Sequence, residues 1–105
     1  MKTEANYALG QIIHHRLFGY RGVIFEIDPE FMLTEEWYEQ VAKSRPPKDE
    51  PWYHVLVDNA QHTTYVAEQN LEPTDALQAI DHPAINDIFT SFQNGKYQLD
   101  SHKIQ

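Results

Sequence analysis

The sequence predicts a mainly β protein, a small antiparallel barrel with a short inserted helix and a C-terminal helix. Three observations lead there. Between Arg21 and Asp28, Val23, Phe25 and Ile27 alternate with Gly22, Ile24 and Glu26, the period-two pattern of a strand. Two β-rich runs, Trp52 to Val57 and His62 to Ala67, are separated by Asp58-Asn59-Ala60-Gln61, a connection of hairpin length. Ile85, Ile88, Phe89 and Phe92 recur at helical spacing, which draws one apolar stripe.

Taken in order, residues 10–16 (Gly10-Gln11-Ile12-Ile13-His14-His15-Arg16) form the first strand, β-branched at its centre. Leu17-Phe18-Gly19-Tyr20 turns the chain, with Gly19 free to take a positive φ. The strand 21–28 ends at Pro29, which lacks a ladder donor. Thr34 caps a short helix over 34–41, where Glu35 and Glu36 suit the helix dipole and Trp37, Tyr38 and Val41 share one side. The proline-rich stretch 44–51 is an extended linker. The hairpin loop sets the pairs 57 with 62, 55 with 64 and 53 with 66. Residues 69–73 turn, with one further short strand or 3₁₀ turn. A helix over 83–93 begins after Asp81 or His82 with Pro83 near its first position and stops at Asn94-Gly95. Val23, Phe25 and Ile27 are expected to face Val55 and Val57 in the core, and residues after Tyr97 to fray. Strands this short and numerous match an SH3-like barrel in scale. The expected organisation is a single domain over 1–105, with the barrel about 7–72 and a helix and tail over 73–105.

The 105 residues are 41% hydrophobic and 23% charged, with no cysteine and a formal charge of −8. The composition is globular. The missing thiol excludes a disulfide scaffold, a thiolate zinc site and a cysteine nucleophile. The negative charge speaks against a generic polyanion binder. No apolar run reaches the length of a membrane span, and the polar start Met1-Lys2-Thr3-Glu4 lacks a signal-type apolar core. A cytoplasmic protein that contacts no membrane is expected.

Specific blocks carry a family resemblance. They are Gly10-Gln11-Ile12-Ile13-His14-His15, the run from Phe18 to Glu30, Pro51-Trp52-Tyr53-His54-Val55-Leu56-Val57, and Tyr65-Val66-Ala67-Glu68-Gln69-Asn70-Leu71. Over residues 7 to 90 the chain resembles the heat-shock protein HspQ family, whose domain is also called YccV-like or hemimethylated-DNA-binding. The resemblance implies a non-enzymatic, stress-induced, often oligomeric protein of the bacterial cytosol. It implies two partner classes, an ATP-dependent protease of the Lon type with its substrates, and hemimethylated DNA. It supplies no catalytic residues and no cofactor.

The residues themselves add candidates. Trp52, Tyr53, His54, Tyr65, Phe18 and Tyr20 are the candidate partner contacts, an aromatic set that suits a peptide or stacked bases. Arg16, Arg21, Lys43, Arg45 and Lys48 are the candidate DNA contacts. No Lys or Arg lies between Lys48 and Lys96, so protein binding ranks above DNA binding. His14 and His15 point to opposite faces of a strand and cannot chelate one ion together. His54 and His62 are likewise divided, and no metal site is assigned. Glu26, Asp28 and Glu30 read as a solvated strand end. The stripe of Ile85, Ile88, Phe89 and Phe92 either packs internally or serves a homo-oligomer, dimer or trimer.

Overall fold

The computed structural model describes residues 4–99. Five strands form one antiparallel sheet: β1 (Ile12–His15), β2 (Arg21–Asp28), β3 (Trp52–Val57), β4 (Thr63–Ala67) and β5 (Leu71–Pro73), in the order β4-β3-β2-β1-β5. Two short α-helices, α1 (Glu35–Val41) and α2 (Ile85–Ile88), and a 3₁₀ turn over Glu68–Asn70 lie between the strands. The chain then forms a separate hairpin of β6 (Phe89–Gln93) and β7 (Lys96–Leu99).

The hairpin register is the expected one, with Val55 opposite Thr64 and Tyr53 opposite Val66. Gly19 takes a φ of 77° in the turn between β1 and β2. Thr34 caps α1, its hydroxyl accepting the Trp37 N–H at 3.1 Å. Tyr38 is buried, but Val41 is exposed, so the expected apolar side of this helix is only half used. Trp37 packs beside Trp52, and the Trp37–Val41 flank also borders an open groove.

Both faces of the sheet are covered. On one, Ile12, Val23 and Leu56 pack with Ile80, Phe89 and Tyr97. On the other, Ile13, Ile24, Tyr53, Val55, Val66 and Leu71 pack together. A third cluster joins Tyr38 and Ala42 to Trp52 and Ala67. The expected wall of Val23, Phe25 and Ile27 is therefore divided. A bulge between Ile24 and Glu26 adds one residue to β2, which reverses the alternation beyond it. Val23 and Phe25 join the Leu56 cluster, whereas Ile27 packs with Val55.

Two further expectations are corrected. The barrel does not close by a ladder, because β4 and β5 are the edges of an open sheet. Strand β5 has three residues and ends at a proline, too little to complete a pairing. The helix expected over 83–93 is four residues long. Asn94 and Gly95 take φ values of 54° and 76°, the two positive dihedrals of a tight hairpin turn. They reverse a strand where a helix end was expected. Phe89 is buried and Ile85 and Ile88 pack beside it, so most of the stripe is covered from within the chain. Phe92 lies on the Tyr97 ring at 4.4 Å. Leu99 continues β7 instead of fraying. The rest of the tail, including His102, lies outside the described residues.

Arg21 fastens the segment between β5 and α2. Its guanidinium donates to the carbonyls of Ala76 at 2.6 Å and Gln78 at 2.9 Å, and pairs with Asp58 at 2.9 Å. Asp58 in turn accepts the Asp81 N–H at 2.7 Å. Gly10 ties in the second hairpin: its carbonyl accepts the Tyr97 N–H at 2.9 Å, while its own N–H donates to Ile24. No helix among the described residues is long and apolar enough to cross a membrane.

A candidate binding groove

A groove of about 720 Å³ opens between the β1–β2 turn and the strand β4 with helix α1. Its first wall is built on His15. This side chain is buried, and its Nδ1 accepts the N–H of Leu17 at 3.1 Å and of Phe18 at 3.0 Å. The Phe18 ring stacks on the imidazole at 4.7 Å. One histidine thus holds an otherwise exposed aromatic residue (Phe18 is 77% exposed) at the lip. Tyr20 lies behind it, its hydroxyl 2.7 Å from the Thr64 hydroxyl.

The opposite wall is aromatic. Tyr65 stacks on Trp52 at 5.1 Å, and Trp37 meets the Tyr65 ring edge-on at 5.6 Å. The Tyr65 hydroxyl donates to Asp28 at 2.6 Å and accepts the Met32 N–H at 3.0 Å. Burial and the bond to Asp28 raise its pKa well above the tyrosine range, so it stays a neutral donor. His54 Nε2 lies 3.2 Å from the same carboxylate oxygen. Asp28 is consequently part of a hydrogen-bonded face and not of a solvated strand end. Glu26, Asp28 and His54 each bring one ligand atom within 4.8 Å of the others. Asp28 Oδ2 already accepts from the Tyr65 hydroxyl.

Of the candidate partner contacts, Phe18, Tyr20, His54 and Tyr65 line the groove, and Trp52 forms its floor at 1% exposure. Tyr53 is buried in the second core cluster, away from it. Trp37, Leu17 and Leu33 also line the groove. Trp37 was legible as an apolar helix residue, but helical spacing assigns such a residue to the core first.

The candidate DNA contacts do not converge. Arg21 is engaged at Asp58 and the carbonyls of Ala76, Gln78 and Ala79. Arg45 pairs with Glu39 at 2.8 Å, and Lys48 pairs with Glu35. Arg16 donates to the Gln69 carbonyl at 2.9 Å. Lys43 lines one end of the groove and has no ion pair among the described residues.

The His15 arrangement predicts a pH response. Both hydrogen bonds need an unprotonated Nδ1, and burial, with His14 adjacent, lowers the His15 pKa below its ordinary 6.5. The unfolded chain therefore binds this proton first. The contribution is complete above pH 6.5 and is lost as pH falls through the lower folded value. Urea midpoints should decline over that interval in the native protein, and a His15→Gln variant should show a shallower decline. Equal slopes would exclude His15 as the source.

The family model described as hemimethylated DNA-binding protein YccV like matches residues 5–96, from the segment before β1 to the first residue of β7. With nearly all of the described fold inside that match, the chain belongs to the YccV-like family.

Proposed function

We propose that the protein is a non-enzymatic binding module of the cytoplasm that captures an apolar segment of a protein partner in the aromatic groove. Its expected role is that of a stress-associated adaptor or stimulator of an ATP-dependent, Lon-type protease. The observation that carries this reading is the groove itself, an apolar concavity with Phe18 held exposed at its lip. Such a lip is suited to an anchor contact. We take the open sheet as an incompletely closed SH3-like barrel. Met32, Leu77 and Phe92, exposed and outside the groove lining, are the apolar residues on which homo-oligomerisation would rest.

Degradation of a model substrate by a purified Lon-type protease tests the reading. The native protein is expected to accelerate it. Phe18→Ala and Trp37→Ala should each raise the half-maximal concentration by about tenfold, as loss of an interface anchor does. An unchanged rate with the native protein would reject the adaptor role.

The family description, and Lys43 in the groove with no ion pair among the described residues, favour a second reading, recognition of hemimethylated DNA. Methyl readout would place the apolar groove against a base edge, with Arg16 and Lys43 at phosphates. Each phosphate contact adds about 0.9 to the slope of log affinity against log salt. With a formal charge of −8, weak binding at physiological salt is expected. Strong, salt-dependent preference for hemimethylated over unmethylated duplex would put this reading first.

A further inference from the structure

The two edges of the five-stranded sheet are treated differently. Strand β5 is three residues long and closes on Pro73, a guarded edge of the kind that resists further pairing. Strand β4 has neither device. Its sequence, Thr63-Thr64-Tyr65-Val66-Ala67, contains no charge and no proline. Its inner side is fixed by the ladder to β3, where the Val57 N–H donates to the His62 carbonyl. In an antiparallel ladder the bonded pairs alternate. Thr64 and Val66 therefore turn their main-chain groups to β3, and Thr63 and Tyr65 turn theirs outward. No side chain or loop takes up the outward groups among the described residues. All five residues of β4 line the groove.

We propose that the partner segment binds as an added strand, an extended peptide hydrogen-bonded to Thr63 and Tyr65 whose alternate apolar side chains enter the groove. This deepens the proposed function and rests on its reading of the groove. The main chain of the peptide supplies affinity, and the groove selects side chains by the two-residue period of a strand. Charge sets one end. Lys43 lines the groove beside Ser44, whose hydroxyl accepts from Asn70 just beyond β4. An acidic residue of the segment fits there, at the Ala67 end. An antiparallel strand then carries that acid at its N-terminal end.

The probe is a capped eight-residue peptide, an aspartate followed by alternating valine and threonine, titrated into the full chain. Binding is read by tryptophan fluorescence and by hydrogen exchange of single amides. Protection of the Thr63 and Tyr65 amides is expected to rise at least about tenfold on saturation, as burial of a free donor in a hydrogen bond requires. N-methylating one alternate set of peptide amides should lower affinity about tenfold or more. Methylating the other set should leave it within about twofold, because only one set faces β4. Replacing the aspartate by lysine should weaken binding several-fold. Absent binding, unchanged exchange at Thr63 and Tyr65, or equal effects of the two methylated sets would each overturn strand addition. Protease stimulation that persists despite such a failure leaves the adaptor reading standing. Strand addition without stimulation rejects the adaptor role alone.

Discussion

Gly10→Ala is expected to lower stability by about 3–5 kcal/mol, summing backbone strain and lost core contacts. Gly10 has a φ of +83°, and an added Cβ would stand 2.0 Å from the Tyr97 carbonyl oxygen. That obstacle is main chain and cannot rotate away. Relief requires Gly10 and Tyr97 to separate, which breaks the Tyr97 N–H to Gly10 bond. The Tyr97 hydroxyl also receives the Ile80 N–H at 2.8 Å, and Tyr97 shares a cluster with Phe89 and Ile80. One methyl group therefore lifts the β6–β7 hairpin from the sheet and opens one of the three core clusters. Urea denaturation should show a much reduced midpoint. A midpoint within the error of the native protein would mean that the hairpin does not dock at Gly10.

Trp52→Ala carries a comparable cost, about 3–5 kcal/mol for a fully buried large aromatic residue. The ring is surrounded by Phe31 at 4.9 Å, Tyr65 at 5.1 Å and Tyr38 at 6.3 Å. Its Nε1 donates to the Pro47 carbonyl at 3.1 Å, and this bond holds the proline-rich linker against the sheet. Removing the indole frees that carbonyl and loosens α1, which packs on Trp52 through Tyr38. Trp52→Phe should recover most of the packing and lack only the bond. Thermal unfolding followed by circular dichroism checks both. Equal losses for the two variants would place the value of Trp52 in its hydrogen bond. A Trp52 variant consequently reports on folding, and groove contacts are better tested at Phe18 and Trp37.

The sequence makes the strands legible where alternation meets a clear stop. Arg21–Asp28 ends at Pro29, and the loop 58–61 fixes which residues of β3 and β4 face each other. Thr34 followed by two glutamates reads as a helix start because the cap is local chemistry. The C-terminal segment misleads because its signals are shared. An i, i+3, i+4, i+7 stripe over so few residues also fits a short helix followed by a strand, and Asn-Gly serves both as a helix stop and as a hairpin turn. The bulge at Phe25 has no glycine or proline to announce it. Arg21 resembles a surface cation in sequence, since most of its partners are carbonyls more than fifty residues away. The aromatic character of the groove was readable from Phe18, Tyr20, Trp52 and Tyr65. The place of Trp37 in its second wall was not, because only the folded chain brings that ring beside Tyr65.

The two carboxylate-bound tyrosines give alkaline solutions a distinct effect on this molecule. Tyr53 donates to Glu68 as Tyr65 does to Asp28, and burial with that bond raises both pKa values far above 10. The unfolded chain gives up these protons from about pH 10, while the folded chain keeps them. Stability is whole below pH 10 and drains away as pH climbs toward the folded values. Ultraviolet absorbance of phenolate then becomes a clock for unfolding. The share contributed by Tyr53 and Tyr65 should emerge slowly and cooperatively after a jump to strong alkali, at the rate at which the native ellipticity disappears. Instant ionisation of both rings would mean that Glu68 and Asp28 hold them loosely.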